Sequence, residues 1–166
     1  LQWGENFAYR NADYVVSLLP VALEHMQAHG MSVEKFVYIP NGIDPVEWSE
    51  KNTPLPLEHQ KAIEVARNKY KLLICYAGAH GLANALDTIL DAAHLMQNES
   101  VCFMLVGDGP EKTRLEKRSS QEGIKNILFL SSVGKASMPT LLAGMDVLYI
   151  GLKSEPLFRF GVSPNK

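Results

Sequence analysis

The stretch YAGAHGLANALDTILDAAHLM, residues 76–96, begins on the end of an apolar run, breaks at two glycines flanking a histidine, and resumes with apolar residues at helical spacing. Leu82, Leu86, Ile89, Ala93 and Met96 recur at the period of an amphipathic helix. Asn84, with Asp87 three residues later, resembles a capping box. The segment reads as a strand, a glycine corner and a helix that starts at the corner. Such a corner exposes backbone N–H groups at the positive end of the helix dipole, where a phosphate is stabilised. Glycine is also the default residue of any tight turn, so the corner alone is equally compatible with a conformational role.

Outward from this unit the pattern repeats. LLICYA (72–77), VCFMLV (101–106), NILFLS (126–131) and DVLYI (146–150) are short β-rich runs. The intervening segments of about 20 residues suit crossover helices, which predicts α/β: a Rossmann-like, doubly wound parallel sheet. The second helix belongs to GDGPEKTRLEKRSSQEG (107–123), with Asp108 or Gly109 as cap, Pro110 at its first position and Gly123 at its end. A third, shorter helix opens at Ala136 or Ser137, since Pro139 is tolerated only in a first turn. Ligands of open α/β sheets bind outside the carboxyl ends of the strands. The corners at Gly78–Gly81, Gly107–Pro110 and Val133–Lys135 converge on that rim, which favours a nucleotide-type site.

The first 44 residues form one βαβ unit: a strand in ADYVVSLLP, a helix in VALEHMQAHG and a strand in KFVYIP before the turn NGID. Residues 45–71 are a connecting segment ending in the amphipathic run LEHQKAIEVARNKY. Residues 72–166 hold the repeated strand and helix pattern.

The 166 residues, 46% hydrophobic, suffice for one core. A net charge of -2 with no basic run argues against nucleic acid. Cys75 and Cys102 sit in apolar runs, as buried reduced thiols do, which fits a cytoplasmic setting and no nucleophilic role. No stretch approaches the roughly 20 apolar residues of a membrane span. His25 and His29 have i, i+4 spacing but no further ligands to complete a metal site. The chain starts at Leu1 and stops at GVSPNK, so it reads as a fragment.

YIPNGIDPVEW, followed in order by ICYAGAHGLANALDTILDAAHLM, FMLVGDGPEKTRLEK, ILFLSSVGKASMPTLLAGMDVLYIGL and FGVSPNK, resembles the carboxyl-terminal half of family-four (group 1) retaining glycosyltransferases of GT-B architecture. The resemblance covers nearly the whole chain, and GAHGLANALDTIL is most similar to transferases of bacterial surface polysaccharide biosynthesis. It implies that residues 1–44 are the last βαβ unit of an acceptor domain with the interdomain signature IPNGID (39–44). It implies that residues 72–166 are the nucleotide-sugar-binding domain, incomplete at its carboxyl end. The implied reaction is metal-independent transfer of a hexose or amino sugar from a nucleotide-diphosphate sugar to a growing, lipid-linked or oligosaccharide acceptor, with no cofactor. The implied location is cytoplasmic, at the inner face of the plasma membrane, with peripheral association through the missing acceptor domain.

The resemblance also assigns donor-binding positions. Gly78 and Gly81 would offer backbone donors to the diphosphate, and His80 a hydrogen bond or, if protonated, a charge; a solvent-facing loop histidine is the alternative. Val133 matches the position that holds the nucleobase through backbone groups, and Lys166 resembles a lysine that approaches the donor. Gly107 is counted with the donor-binding positions, although it and Asp108 first serve close approach and helix capping, and Lys135 either reaches a phosphate or is a solvated helix-start residue. The arginine and lysine that the family often carries at GAHGLANA are absent. The family's two catalytic acids, seven positions apart, are not matched either: Gly161 stands near the place of the first and the second falls beyond Lys166. Glu155 matches only with a gap. The catalytic residues are therefore unassigned, and the fragment alone is expected to lack transferase activity. Two rivals remain: an NAD-binding domain of an oxidoreductase, whose G-x-G-x-x-G neither GAHGLA nor GDGPEK supplies, and a non-catalytic sugar-nucleotide-binding module.

Overall fold

The computed structural model describes residues 2–42, 45 and 53–161. The chain divides into two compact units, one of residues 1–43 with 154–166 and one of residues 44–153. In the first, α1 (Gln2–Asn11) precedes β1 (Val15–Ser17); a 3-10 turn at Pro20–Ala22 leads into α2 (Leu23–Ala28), and β2 (Phe36–Tyr38) follows. The strands pair in parallel, Val15 with Phe36 and Ser17 with Tyr38, giving the expected βαβ unit. Helix α1 was not legible: it contains Gly4 and buries none of its residues, so no apolar stripe announces it. Its polar face engages His25 of α2 and His29 just past it. Glu5 Oε1 lies 2.9 Å from His25 Nε2, and Gln2 Nε2 and Asn6 Oδ1 lie 2.8 and 3.2 Å from His29 Nδ1. Among the described residues no three metal-ligating groups cluster.

The second unit carries α3 (Leu57–Lys69), β3 (Leu72–Ala77), α4 (Asp87–Leu95), β4 (Val101–Val106), α5 (Lys112–Gln121), β5 (Ile127–Leu130), α6 (Met138–Ala143) and β6 (Val147–Leu148). All four strands are parallel, in the order β5-β4-β3-β6. Strand β4 is buried along its whole length because helices cover both faces. Val101, Phe103 and Leu105 pack with Leu86, Ile89, Leu90 and Leu115 of the α4 and α5 layer. Cys102, Met104 and Val106 pack with Ala66, Leu73, Cys75 and Leu141 on the α3 and α6 side. This is the doubly wound, Rossmann-like arrangement the strand spacing predicts. Burial pushes the Cys75 thiol up to about 12 and that of Cys102 to about 11, so both stay protonated and inert. No helix among the described residues is long and apolar enough to cross a membrane.

Two helix starts differ from expectation. Helix α4 begins at Asp87, beyond a 3-10 turn at Leu82–Asn84 and an Ala85 in the left-handed region, and not at the glycine corner. Leu82 is correspondingly exposed. The Asn84 amide donates to Ala79 O rather than capping a helix. Asp87 accepts from Arg114 Nη1 and Nη2 at 3.0 and 2.6 Å and from Arg118 Nη1 at 2.9 Å, tying α4 to α5. The guanidinium of Arg114, then that of Arg118, holds its carboxyl below the usual range. Helix α5 starts at Lys112 after Glu111, two residues later than a proline at the first position would put it. It ends at Gln121, and Gly123, just past it in the left-handed region, closes it as expected, with the Ile124 N–H donating to Ser119 O at 3.0 Å.

Candidate functional site

Strands β3, β4 and β5 leave the sheet side by side, and their outgoing loops form one rim. The order β5-β4-β3-β6 means the chain steps outward twice from β3 and then returns to its other side, so the reversal lies between β3 and β6. On this rim lies a depression of about 290 Å³ lined by Gly78 and Ala79 after β3, Val106, Gly107 and Asp108 at the end of β4, Ser132 and Val133 after β5, and Met138 at the start of α6. Its wall is largely apolar, with Asp108 and Ser132 adding polar groups.

The first two loops are locked together by backbone hydrogen bonds. The Gly78 N–H donates to Val106 O at 2.9 Å, the His80 N–H to Asp108 O at 2.9 Å, and the Glu111 N–H to His80 O at 3.0 Å. The approach is so close that a Cβ on Gly107 would lie 1.9 Å from Gly78 O, and one on Gly109 2.6 Å from His80 O. The two glycines of GDGP therefore serve loop-to-loop contact, as expected for Gly107. These bonds consume two of the corner's donors; among the described residues, the amides of Ala79 and Gly81 donate to no protein acceptor.

Four positions differ from the sequence reading or lie beyond the described chain. The His80 side chain faces neither solvent nor the depression: it is fully buried, its ring 6.0 Å from that of Tyr76 and 6.3 Å from that of Phe129. Neither ring nitrogen has a hydrogen-bond partner. Burial lowers its pKa, the nearby Lys112 charge lowers it further, and Asp108 opposes them, so the imidazole is neutral. It provides no cation, because the backbone clamp on both sides of His80 fixes the ring inward. Asp108 does not cap α5; the helix has no side-chain cap. Its Oδ1 accepts from Lys112 Nζ and its Oδ2 from the Ser132 N–H, both at 2.9 Å. These bonds, the lysine first, hold its carboxyl well below the ordinary carboxylate range. Gly81 follows the corner without lining the depression. Lys166, with the end of FGVSPNK and the last two residues of IPNGID, lies outside the described residues. Lys135 is exposed at the first position of the 3-10 turn Lys135–Ser137.

Gly78, Gly107 and Val133 are thus brought to one depression. Ala79, Ser132 and Met138 complete it, and sequence reasoning missed them because small or apolar loop residues carry no chemical mark. Residues 58–161 match the family model of glycosyl transferases group 1. The chain belongs to that family.

Among curated relatives, the chain is 27% identical over 145 residues to WcaI of Escherichia coli K12, a protein named for colanic acid biosynthesis glycosyl transfer. It is 26% identical over 163 residues to WbjE of Pseudomonas aeruginosa, named as a glycosyltransferase. These alignments take in 83% and 97% of this chain but 33% and 39% of the relatives, so the chain spans little more than a third of their length. Among solved structures, it superposes on Anabaena HepE in complex with UDP and glucose with a TM-score of 0.67 at 19% identity, covering 89% of this chain and 40% of HepE. On the lipopolysaccharide glycosyltransferase WaaG the TM-score is 0.60 at 18% identity, over 84% of this chain and 38% of WaaG. The group 1 member described here has the Rossmann-like parallel-sheet fold found in GT-B glycosyltransferases.

Proposed function

We propose that this chain is the nucleotide-sugar-binding part of a retaining, metal-independent glycosyltransferase, moving a hexose or amino sugar from a nucleotide-diphosphate sugar to a growing, lipid-linked glycan of a bacterial surface polysaccharide. The observation that carries the reading is the depression at the carboxyl ends of β3, β4 and β5, in a chain of this family. HepE, of like fold, was solved with UDP and with UDP-glucose, which supports a nucleotide sugar as the donor. The names of WcaI and WbjE support polysaccharide biosynthesis and glycosyl transfer. The working location is the cytoplasmic face of the plasma membrane, where such acceptors grow.

In this reading Val133 holds the base by its backbone groups, and the apolar wall of Val106, Val133 and Met138 excludes water from one face of it. The diphosphate lies toward Gly78 and Ala79, where the amide of Ala79 offers a hydrogen bond without a metal. N–H groups fixed in advance cost no reorganisation as the diphosphate departs, which is how they stabilise the charge that develops on it. The His80 ring stays out of this chemistry.

The test is a transfer assay with the intact protein, lipid-linked acceptors and a panel of UDP- and GDP-sugars, with product anomers read by NMR. The expected result is a product that keeps the anomeric configuration of the donor, formed equally with and without EDTA. An inverted product, or turnover abolished by EDTA and restored by a divalent metal, would contradict the proposed mechanism.

A further inference from the structure

The ammonium of Lys112 makes three hydrogen bonds, to Gly107 O at 2.9 Å, Asp108 Oδ1 at 2.9 Å and Leu130 O at 3.1 Å. Its three protons are thereby spent, so it is not a cation waiting for a phosphate. Two acceptors belong to the end of β4 and one to the end of β5. Asp108 extends the tie in the same direction, since its Oδ2 accepts from the N–H of Ser132, the residue before Val133. Leu130 O also accepts from the Gly107 N–H at 3.1 Å. One lysine and one aspartate thus stitch together two of the loops that line the depression, and Gly107, Asp108, Ser132 and Val133 are all part of its wall.

We infer that Lys112, acting through Asp108, is a positioning residue that fixes the separation of the β4 and β5 outgoing loops at which the depression accepts a nucleotide. The inference rests on the reading of this depression as the nucleotide site. The chemistry explains why both partners are needed. Asp108 brings a negative charge to the rim of a site for an anionic ligand, and the Lys112 ammonium, an i, i+4 partner with a side chain 18% exposed, compensates it. Without the ammonium, two backbone carbonyls and a carboxylate would face one another, and Asp108 would lose the cation that aims Oδ2 at the Ser132 N–H. Arginine is a poor substitute, because its planar fork does not converge on three acceptors around one atom.

The experiment is calorimetric titration of the intact protein with UDP, for wild type, K112M, K112R and D108N, beside thermal unfolding of each and steady-state kinetics in the donor. We expect K112M to bind UDP about tenfold more weakly, the size of effect of a residue that acts on a site through its neighbours. The loss falls on donor KM rather than kcat, as for a lost ground-state contact. K112R recovers only part of the affinity. D108N is the milder variant should K112M not fold: asparagine keeps an oxygen for the Ser132 N–H while losing the ion pair, and we expect a smaller loss in the same direction. Lowered unfolding temperatures with UDP affinity unchanged in K112M and D108N would overturn the inference and leave the functional reading standing. If wild type takes GDP in place of UDP the same series is read with GDP, and binding of neither nucleotide by wild type would overturn both.

Discussion

Replacing Gly107 with alanine is expected to cost at least about 3 kcal/mol of stability and to abolish measurable nucleotide binding. The residue has φ +148, and its added Cβ would lie 1.9 Å from Gly78 O and 2.9 Å from Gly78 C. Those are backbone atoms of the neighbouring loop, so no side chain can swing aside. Relief requires the β3 and β4 loops to part, which breaks the bonds from Gly78 N–H to Val106 O and from His80 N–H to Asp108 O. Gly134, in the third rim loop, is the control. Its φ is −63 and an added Cβ meets nothing within 4 Å, so G134A is expected to change stability by less than about 1 kcal/mol. Urea unfolding of the two variants checks this; equal, small losses would show that the loops do not approach as closely as described.

The second large effect concerns His80 and pH. Its folded-state pKa lies below the ordinary histidine value of about 6.5, because burial disfavours the cation and Lys112 repels it. Below that value the unfolded chain takes up a proton that the folded chain refuses, so stability falls as pH falls from about 6.5 toward the folded pKa. Between about pH 7.5 and 5.0 this one residue removes stability progressively as the unfolded imidazole takes up its proton. Phenylalanine at 80 cannot titrate, keeps an aromatic ring against Tyr76 and Phe129, and removes two buried nitrogens without partners. H80F should therefore lose less stability than wild type over that interval. Carboxylates held low by their partners, such as Asp87 and Asp146, contribute equally to both proteins and act at lower pH. Parallel stability curves for wild type and H80F would show that the ring is hydrated and protonated in the folded state.

What could be read from the sequence was what local pattern encodes. LLICYA and VCFMLV match β3 and β4 residue for residue, because strands buried on both faces are continuous apolar runs with no ambiguity of phase. The rim followed from the rule that such sheets bind at their carboxyl ends, and Gly78, Gly107 and Val133 do meet there. The misreadings are all non-local or conformational. Nothing in LANAL marks Ala85 for the left-handed region at φ 51, so the apolar spacing places the helix start too early. The inward turn of His80 is imposed by a loop about thirty residues away in sequence, through bonds that periodicity does not record. Asp108 reads as a helix cap because aspartate before a helix usually is one. Its actual partner, the Ser132 amide, is set by the packing of β4 against β5.

The most direct test of the central claim is a calorimetric titration of the intact protein with UDP, GDP and NAD in parallel, with and without a divalent metal. The account predicts metal-independent binding of UDP or GDP, with no heat from NAD. Binding of NAD alone would contradict it and place the glycine rim with the dinucleotide-binding oxidoreductases.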